Sequence, residues 1–232
     1  MRKITFGLLP VVLSLMLTSC WVYKPQLADI PLIDHRGDMR LNGAVYVQPN
    51  IHVTPQRTSV AMAPGVSATV SAGLTDRLAV QSHFDFQGNY YTHIAAGMYK
   101  SYGGSVLEGY FGVGYGTGHG YDDAEPASSD IRYCCPFVQG NYGWHVGECL
   151  DIGLSLKTGD YIPVLVQRTP GYGVPAIPEH TLLVEPQFFF RVGWETVKFQ
   201  LQAGYCHLFN WPDEYLFDYY SLSVGMSVSI AL

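Results

Sequence analysis

From Ser221 to Leu232 the chain alternates without a fault. Ser221, Ser223, Gly225, Ser227, Ser229 and Ala231 are small or polar, whereas Leu222, Val224, Met226, Val228, Ile230 and Leu232 are large and apolar. Successive side chains of a strand point to opposite faces, so this segment has one hydrocarbon face and one small, polar face. A soluble barrel turns the hydrocarbon inward, and a membrane barrel turns it outward against lipid. Here the apolar face carries the bulk, which suits a narrow bore inside a wide lipid annulus. The expected fold class is all-β: a closed antiparallel up-and-down transmembrane β-barrel. A soluble periplasmic barrel with the hydrocarbon inside is the rival.

Nine further strand-like runs precede this one: Met39–Gln48, Gly65–Leu74, Leu78–Gln87, Tyr91–Lys100, Ser105–Gly116, Arg132–Gly143, Cys149–Tyr161, Leu182–Val192 and Val197–His207. With Tyr219–Ala231 they make ten strands, or eight if the first or the loosely patterned sixth fails. Each is long enough for a tilted crossing, which takes about 9–11 residues. Connections after strands two, four, six and eight are short. Those after one, five, seven and nine are longer, and the one after strand three breaks the rule. Outer-membrane barrels show this asymmetry of periplasmic turns and outer loops. Charged residues and aromatics each make up 14% of the chain, which suits lipid exposure with aromatic girdles.

Residues 1–19 read as a signal peptide: Arg2 and Lys3 lead an apolar stretch, Ile4 to Leu17, too short to span. Leu17-Thr18-Ser19-Cys20 resembles the lipobox of bacterial lipoproteins, which makes Cys20 the lipid-attachment residue, carrying palmitate or a similar chain. Residues 20–38 then form a lipid-anchored tether on the periplasmic side, and residues 39–232 the barrel. An even strand count puts both barrel ends on one side, so the anchor is expected just below strand one. The expected localisation is the outer membrane of a Gram-negative cell. The partners are outer-membrane lipid, the barrel-assembly and lipoprotein-sorting machinery, and a protein that the sequence does not identify. A net charge of −6 with no basic run argues against nucleic acid.

The inward set holds the polar chemistry: His83, Asp85, Glu108, Asp151, Lys157, Glu185, Arg191 and Lys198. Both signs occur on neighbouring strands, and charges so confined must pair. The expectation is therefore a polar network that plugs the lumen, with a charged pore constriction as the alternative. His83, Asp85 and His93 could cluster as a zinc site or a general base, but no third ligand or nucleophile has a readable spacing. No catalytic residue, metal site or cofactor is assigned. Gly112, Gly114 and Gly116 repeat every two residues, which is not a phosphate loop; bare backbone there makes room for large inward side chains. Cys134, Cys135, Cys149 and Cys206 are expected as isolated thiols. The acidic stretch Asp122-Asp123-Ala124-Glu125 lacks the ligand order of a calcium loop.

Cys20, Tyr23-x-Pro25, Pro31-Leu32, Gly37-Asp38, the hairpin Gly73-Leu74-Thr75-Asp76-Arg77-Leu78-Ala79-Val80, Leu156-Lys157-Thr158-Gly159 and Gly204-Tyr205 together resemble a group of small outer-membrane β-barrel lipoproteins from Bacteroidetes. The resemblance implies a fold and a compartment, and no settled activity. Two departures stand out. The chain closes on Leu232 where such barrels often end in an aromatic residue, and Trp21-Val22-Tyr23-Lys24 follows Cys20 where surface-displayed lipoproteins of that phylum often carry acids. The functional expectation is a structural or surface-interaction barrel. The alternatives are a narrow channel, or a barrel enzyme of the protease or lipid-modifying kind with His83, Asp85 or His93 as base.

Overall fold

The computed structural model describes residues 26–54, 57–121, 128–168, 178–209 and 222–232. Ten strands close into one barrel: β1 (Met39–Thr54), β2 (Arg57–Gly73), β3 (Leu78–Phe86), β4 (Tyr90–Tyr102), β5 (Ser105–Tyr121), β6 (Ser128–Val146), β7 (Leu150–Arg168), β8 (Thr181–Gly193), β9 (Val197–Tyr205) and β10 (Leu222–Ala231). Each pairs antiparallel with its sequence neighbour, and β10 returns to β1 from Arg40↔Ala231 to Val47↔Val224. A two-residue strand, His207–Leu208, continues along β8 beyond β9. The ten-strand count holds and the eight-strand alternative falls.

The rival with hydrocarbon inside is overturned. On β10, Val224 and Met226 are 50% and 60% exposed, while Ser223 is 1% exposed. The outward row continues around the wall through Ile94, Met98, Phe111, Leu154 and Phe188, and the inward one through Gln81, His83, Gln139, Glu185 and Gln200. So continuous an apolar exterior exceeds the patches that soluble monomers present to water.

The connections differ from expectation at one end. Residues 49–64, read as a long connection, carry the β1–β2 ladder on from Pro49↔Met62 to Thr54↔Arg57. Likewise β5, β6 and β7 run on to Tyr121, from Ser128 and to Arg168. Proline misled the reading. The lateral ladders stop at Val47↔Val224 and Val66↔Phe86, so Pro49 and Pro64 lie in a hairpin beyond the closed wall, where a missing N–H need not break a barrel ladder. The opposite end carries the tight turns 74–77, 103–104, 147–149 and 194–196. The β4–β5 turn is Gly103-Gly104 with φ +53° and +96°, the left-handed pair that a two-residue hairpin demands. These are called the hairpin end and the turn end below.

The bare inward positions are sockets. A Cβ on Gly112 would strike Phe137, one on Gly114 the Tyr91 ring and one on Gly116 the Tyr133 ring. Cys134, Cys135, Cys149 and Cys206 are free thiols. The acidic stretch 122–125, the signal peptide and Cys20 lie outside the described residues.

Arginine placed on the outward face at the bilayer midplane costs about 2–4 kcal/mol. Met226→Arg is accordingly expected to lower the free energy of unfolding from lipid vesicles by about that amount, read from the urea midpoint of heat-modifiable gel mobility.

Candidate functional site: a lumen filled by the N-terminal segment

The stretch expected as an external tether is, over residues 26–33, inside the barrel. Gln26 through Ile33 are buried, with Leu32 and Ile33 at 0% exposure. Entry is at the turn end, where Gly37 N–H donates to the Gly73 carbonyl (2.8 Å) and Gly73 N–H to the Asp38 carbonyl (2.8 Å). The correction has a physical reason. Gln-Leu-Ala-Asp-Ile-Pro-Leu-Ile is mostly apolar or small, and a polar bore this narrow must be filled.

An extended segment with no strand beside it needs partners for its peptide groups. Amide side chains on the wall supply them. Gln187 Nε2 donates to the Gln26 carbonyl (2.7 Å), and its Oε1 accepts from Ala28 N–H (2.7 Å). Gln202 Nε2 donates to the Ala28 carbonyl (3.2 Å), and Gln139 and Asn141 donate to that of Asp29 (2.7 and 3.3 Å). The Arg191 guanidinium donates to the Ile30 carbonyl at 2.6 Å, and Glu108 Oε1 accepts from Ile33 N–H at 2.8 Å. Side chains add to this: Ser71 Oγ donates to Asp29 (2.5 Å) and Lys157 Nζ to Gln26 Oε1 (2.9 Å). Leu27 lies where a Cβ on Gly225 would be, and Leu32 where one on Gly143 would be. Leu32 holds φ +54°, a strained setting for a side chain bearing Cβ, which the surrounding packing must enforce.

The charges pair around this plug. Asp151 accepts from Lys198 Nζ (2.8 Å) and lies 3.7 Å from Arg191 Nη1; Lys157 lies 3.5 Å from Glu185 and over the rings of Tyr91 and Phe137. Glu108 stands apart from the other predicted charges and accepts from Asn141 Nδ2 at 2.9 Å. Asp85 accepts from the Tyr46 hydroxyl (2.7 Å) and lies 4.0 Å from His83 Nε2. His83 stacks on His93 with centroids 4.8 Å apart. Thus His83, Asp85 and His93 do come together. All three are at most 4% exposed, and among the described residues no group of three His, Cys, Asp or Glu is arranged to hold a metal ion.

Two features escaped the sequence reading: that residues 26–33 form the plug, and that the amides of Gln139, Asn141, Gln187 and Gln202 hold it, with Gln200 bracing Arg191 and Gln202 from behind. Their signal was present. Gln139 and Asn141, like Gln200 and Gln202, are spaced by two on inward faces, and an amide offers both the donor and the acceptor that a peptide group needs.

At the turn-end mouth, Asp34 Oδ2 lies 3.2 Å from His145 Nε2, while His145 Nδ1 lies 2.7 Å from Asp151 Oδ1. One ring therefore ties the base of the plug to the wall. Burial pushes the Asp34 carboxyl up, but the His145 ring, the Ser101 hydroxyl and the Arg40 charge together hold it below its ordinary range.

No protein-family model and no curated protein matches the chain. Among solved structures, it is similar to the translocator domain of the autotransporter NalP from Neisseria meningitidis, at 10% identity and TM-score 0.52, over 84% of this chain and 88% of that one. It also resembles an outer membrane channel from Pseudomonas putida F1, at 8% identity and TM-score 0.47, over 90% of this chain and all of that one; this second likeness is too weak to argue from. The first shows the fold alone. Together with the geometry it defines a class: a closed ten-stranded antiparallel barrel with an apolar exterior. In this chain the bore is occupied by its own segment 26–33.

Glu108→Ala strands the Ile33 N–H and the Asn141 amide, each costing about 1–3 kcal/mol. A fall of that order in the free energy of unfolding, read from the urea midpoint, is expected, with faster hydrogen exchange at Ile33. A carboxyl with a depressed folded value contributes stability above its unfolded value and loses it as pH falls through the folded one. Protection of the amides around Asp34 should therefore hold at neutral pH and decline below about pH 4. Asp34→Asn should remove that step.

Proposed function

We propose that this protein is an outer-membrane barrel lipoprotein with a closed lumen, serving a structural or surface-interaction role. The observation that carries the reading is the plug: residues 26–33 occupy the bore and are hydrogen-bonded by five wall residues through their own backbone carbonyls, from Gln187 and Gln202 to Gln139, Asn141 and Arg191. A pathway for ions would need that segment to leave. The apolar exterior supports a lipid surrounding, and the asymmetry between tight turns and projecting hairpins supports a periplasmic turn end. Acylation of Cys20 and kinship with the small Bacteroidetes barrel lipoproteins belong to the same reading, and rest on the residues quoted for them above. Outer-membrane lipid and the assembly and sorting machinery are its partners. Replacing Cys20 by Ala and finding the barrel still embedded would separate insertion by strands from anchoring by acyl chains.

Purified full-length protein in planar bilayers is expected to give no steady conductance. Steady single-channel steps would instead support the narrow-channel alternative.

A further inference from the structure

The direction of the plug has a topological outcome. Residues 34–38 sit at the turn end, and from there the chain, followed backwards, climbs the bore. Ile33 bonds Glu108, Asp29 bonds Gln139 and Asn141, and Gln26 reaches Lys157 and Gln187. Along β7, Asp151 lies at the turn-end mouth and Lys157 six residues farther up. Gln26 is thus on the hairpin side of everything else in the plug.

Below Gln26 the bore is already full: Leu27, Ala28, Asp29, Ile30, Leu32 and Ile33 are each at most 5% exposed, and Pro31 is buried. Toward the hairpin end the rim is close: Tyr161↔Thr181, the last β7–β8 pair, is four residues above Lys157, or roughly 13 Å along the strand. Cys20 precedes Gln26 by six residues, which span roughly 20 Å when extended. One side of the upper bore is taken by Tyr91, Ile131, Tyr133, Cys135, Tyr161, Leu183, Cys206 and Leu208. Leu27 leans the other way, against Tyr46 and the bare Gly225 on the β1–β10 wall.

We infer that the chain is threaded through its own barrel, so that residues before Gln26 leave at the hairpin end and the lipid on Cys20 enters the leaflet facing the cell exterior. This deepens the outer-membrane lipoprotein reading and rests on it. It reverses the expected periplasmic anchor. The partner so defined is the hydrocarbon of the outer leaflet, beside the rim beyond which β1, β2, β5 and β6 extend.

The test is site-resolved labelling of the full-length protein in intact Gram-negative cells with a membrane-impermeant maleimide. Native Cys149, exposed in the turn 147–149, reports the turn end, and Glu179→Cys, in the exposed residues before β8, reports the hairpin end. Lys24→Cys is the probe. Labelling of Lys24→Cys within about two-fold of Glu179→Cys, with Cys149 reacting only after permeabilisation, is the expected result. Reaction of Lys24→Cys only after permeabilisation, or in neither condition, overturns threading and leaves the outer-membrane reading standing. Reaction of Cys149 in intact cells as readily as Glu179→Cys overturns that reading and the inference with it. Should Lys24→Cys disturb folding, the wild-type chain serves with an impermeant amine reagent: Lys24 is expected to react in intact cells, and exposed Lys100, near the β4–β5 turn, only after permeabilisation. The reverse order sinks the proposal.

Discussion

Peptide groups away from water must find partners, and two solutions to that demand build this molecule. In the wall the partners are neighbouring strands, and only closure satisfies all of them, because an open edge in hydrocarbon leaves donors and acceptors unmet. In the bore the partners are side chains. Residues 26–33 lie beside no strand, yet their carbonyls are met by Gln187, Gln202, Gln139, Asn141 and Arg191. The amides act as a substitute for a strand edge, offering donor and acceptor on one short stem. Bare inward positions such as Gly143 and Gly225 let the plug's Leu32 and Leu27 approach the wall.

The ionic groups follow from the same crowding. An unpaired charge in so confined a bore is expensive, and removing one member of a buried pair costs more than the pair itself contributes. Asp151 answers Lys198, Arg191 and His145; Glu185 answers Lys157. His83 and His93 stack face to face beside Asp85, with the Thr69 hydroxyl 3.0 Å from His83 Nδ1, and each of the three is at most 4% exposed.

Much of the wall was legible in the sequence, because a period of two repeats over nine or more residues and a slip of one would invert every side chain. All ten runs are strands, and β10 faces as its alternation requires. The inward charges were legible for the same reason. What was not legible lies where periodicity is silent. Pro49 and Pro64 read as breaks but lie in a projecting hairpin that the wall does not constrain. The stretch 26–33 has no strand period and reads as a tether, since nothing local tells a solvated linker from one that fits a bore whose hydrogen-bonding residues lie 42 to 174 positions away in sequence. Gln139, Asn141 and Gln202 carry no charge to mark them, and their part in cradling backbone shows only once the segment 26–33 is in place.

The contacts of Ala28 with Gln202 span 174 residues, and those of Gln26 with Gln187 span 161. The first part of the described chain to leave the ribosome is thus among the last to find its place. Its cradle does not exist until β8 and β9 have joined the sheet, and once β10 has zipped onto β1 a free end can enter only by threading. The connectivity therefore leaves two routes: the growing sheet curls around the segment while a seam is still open, or the finished barrel admits it through one mouth.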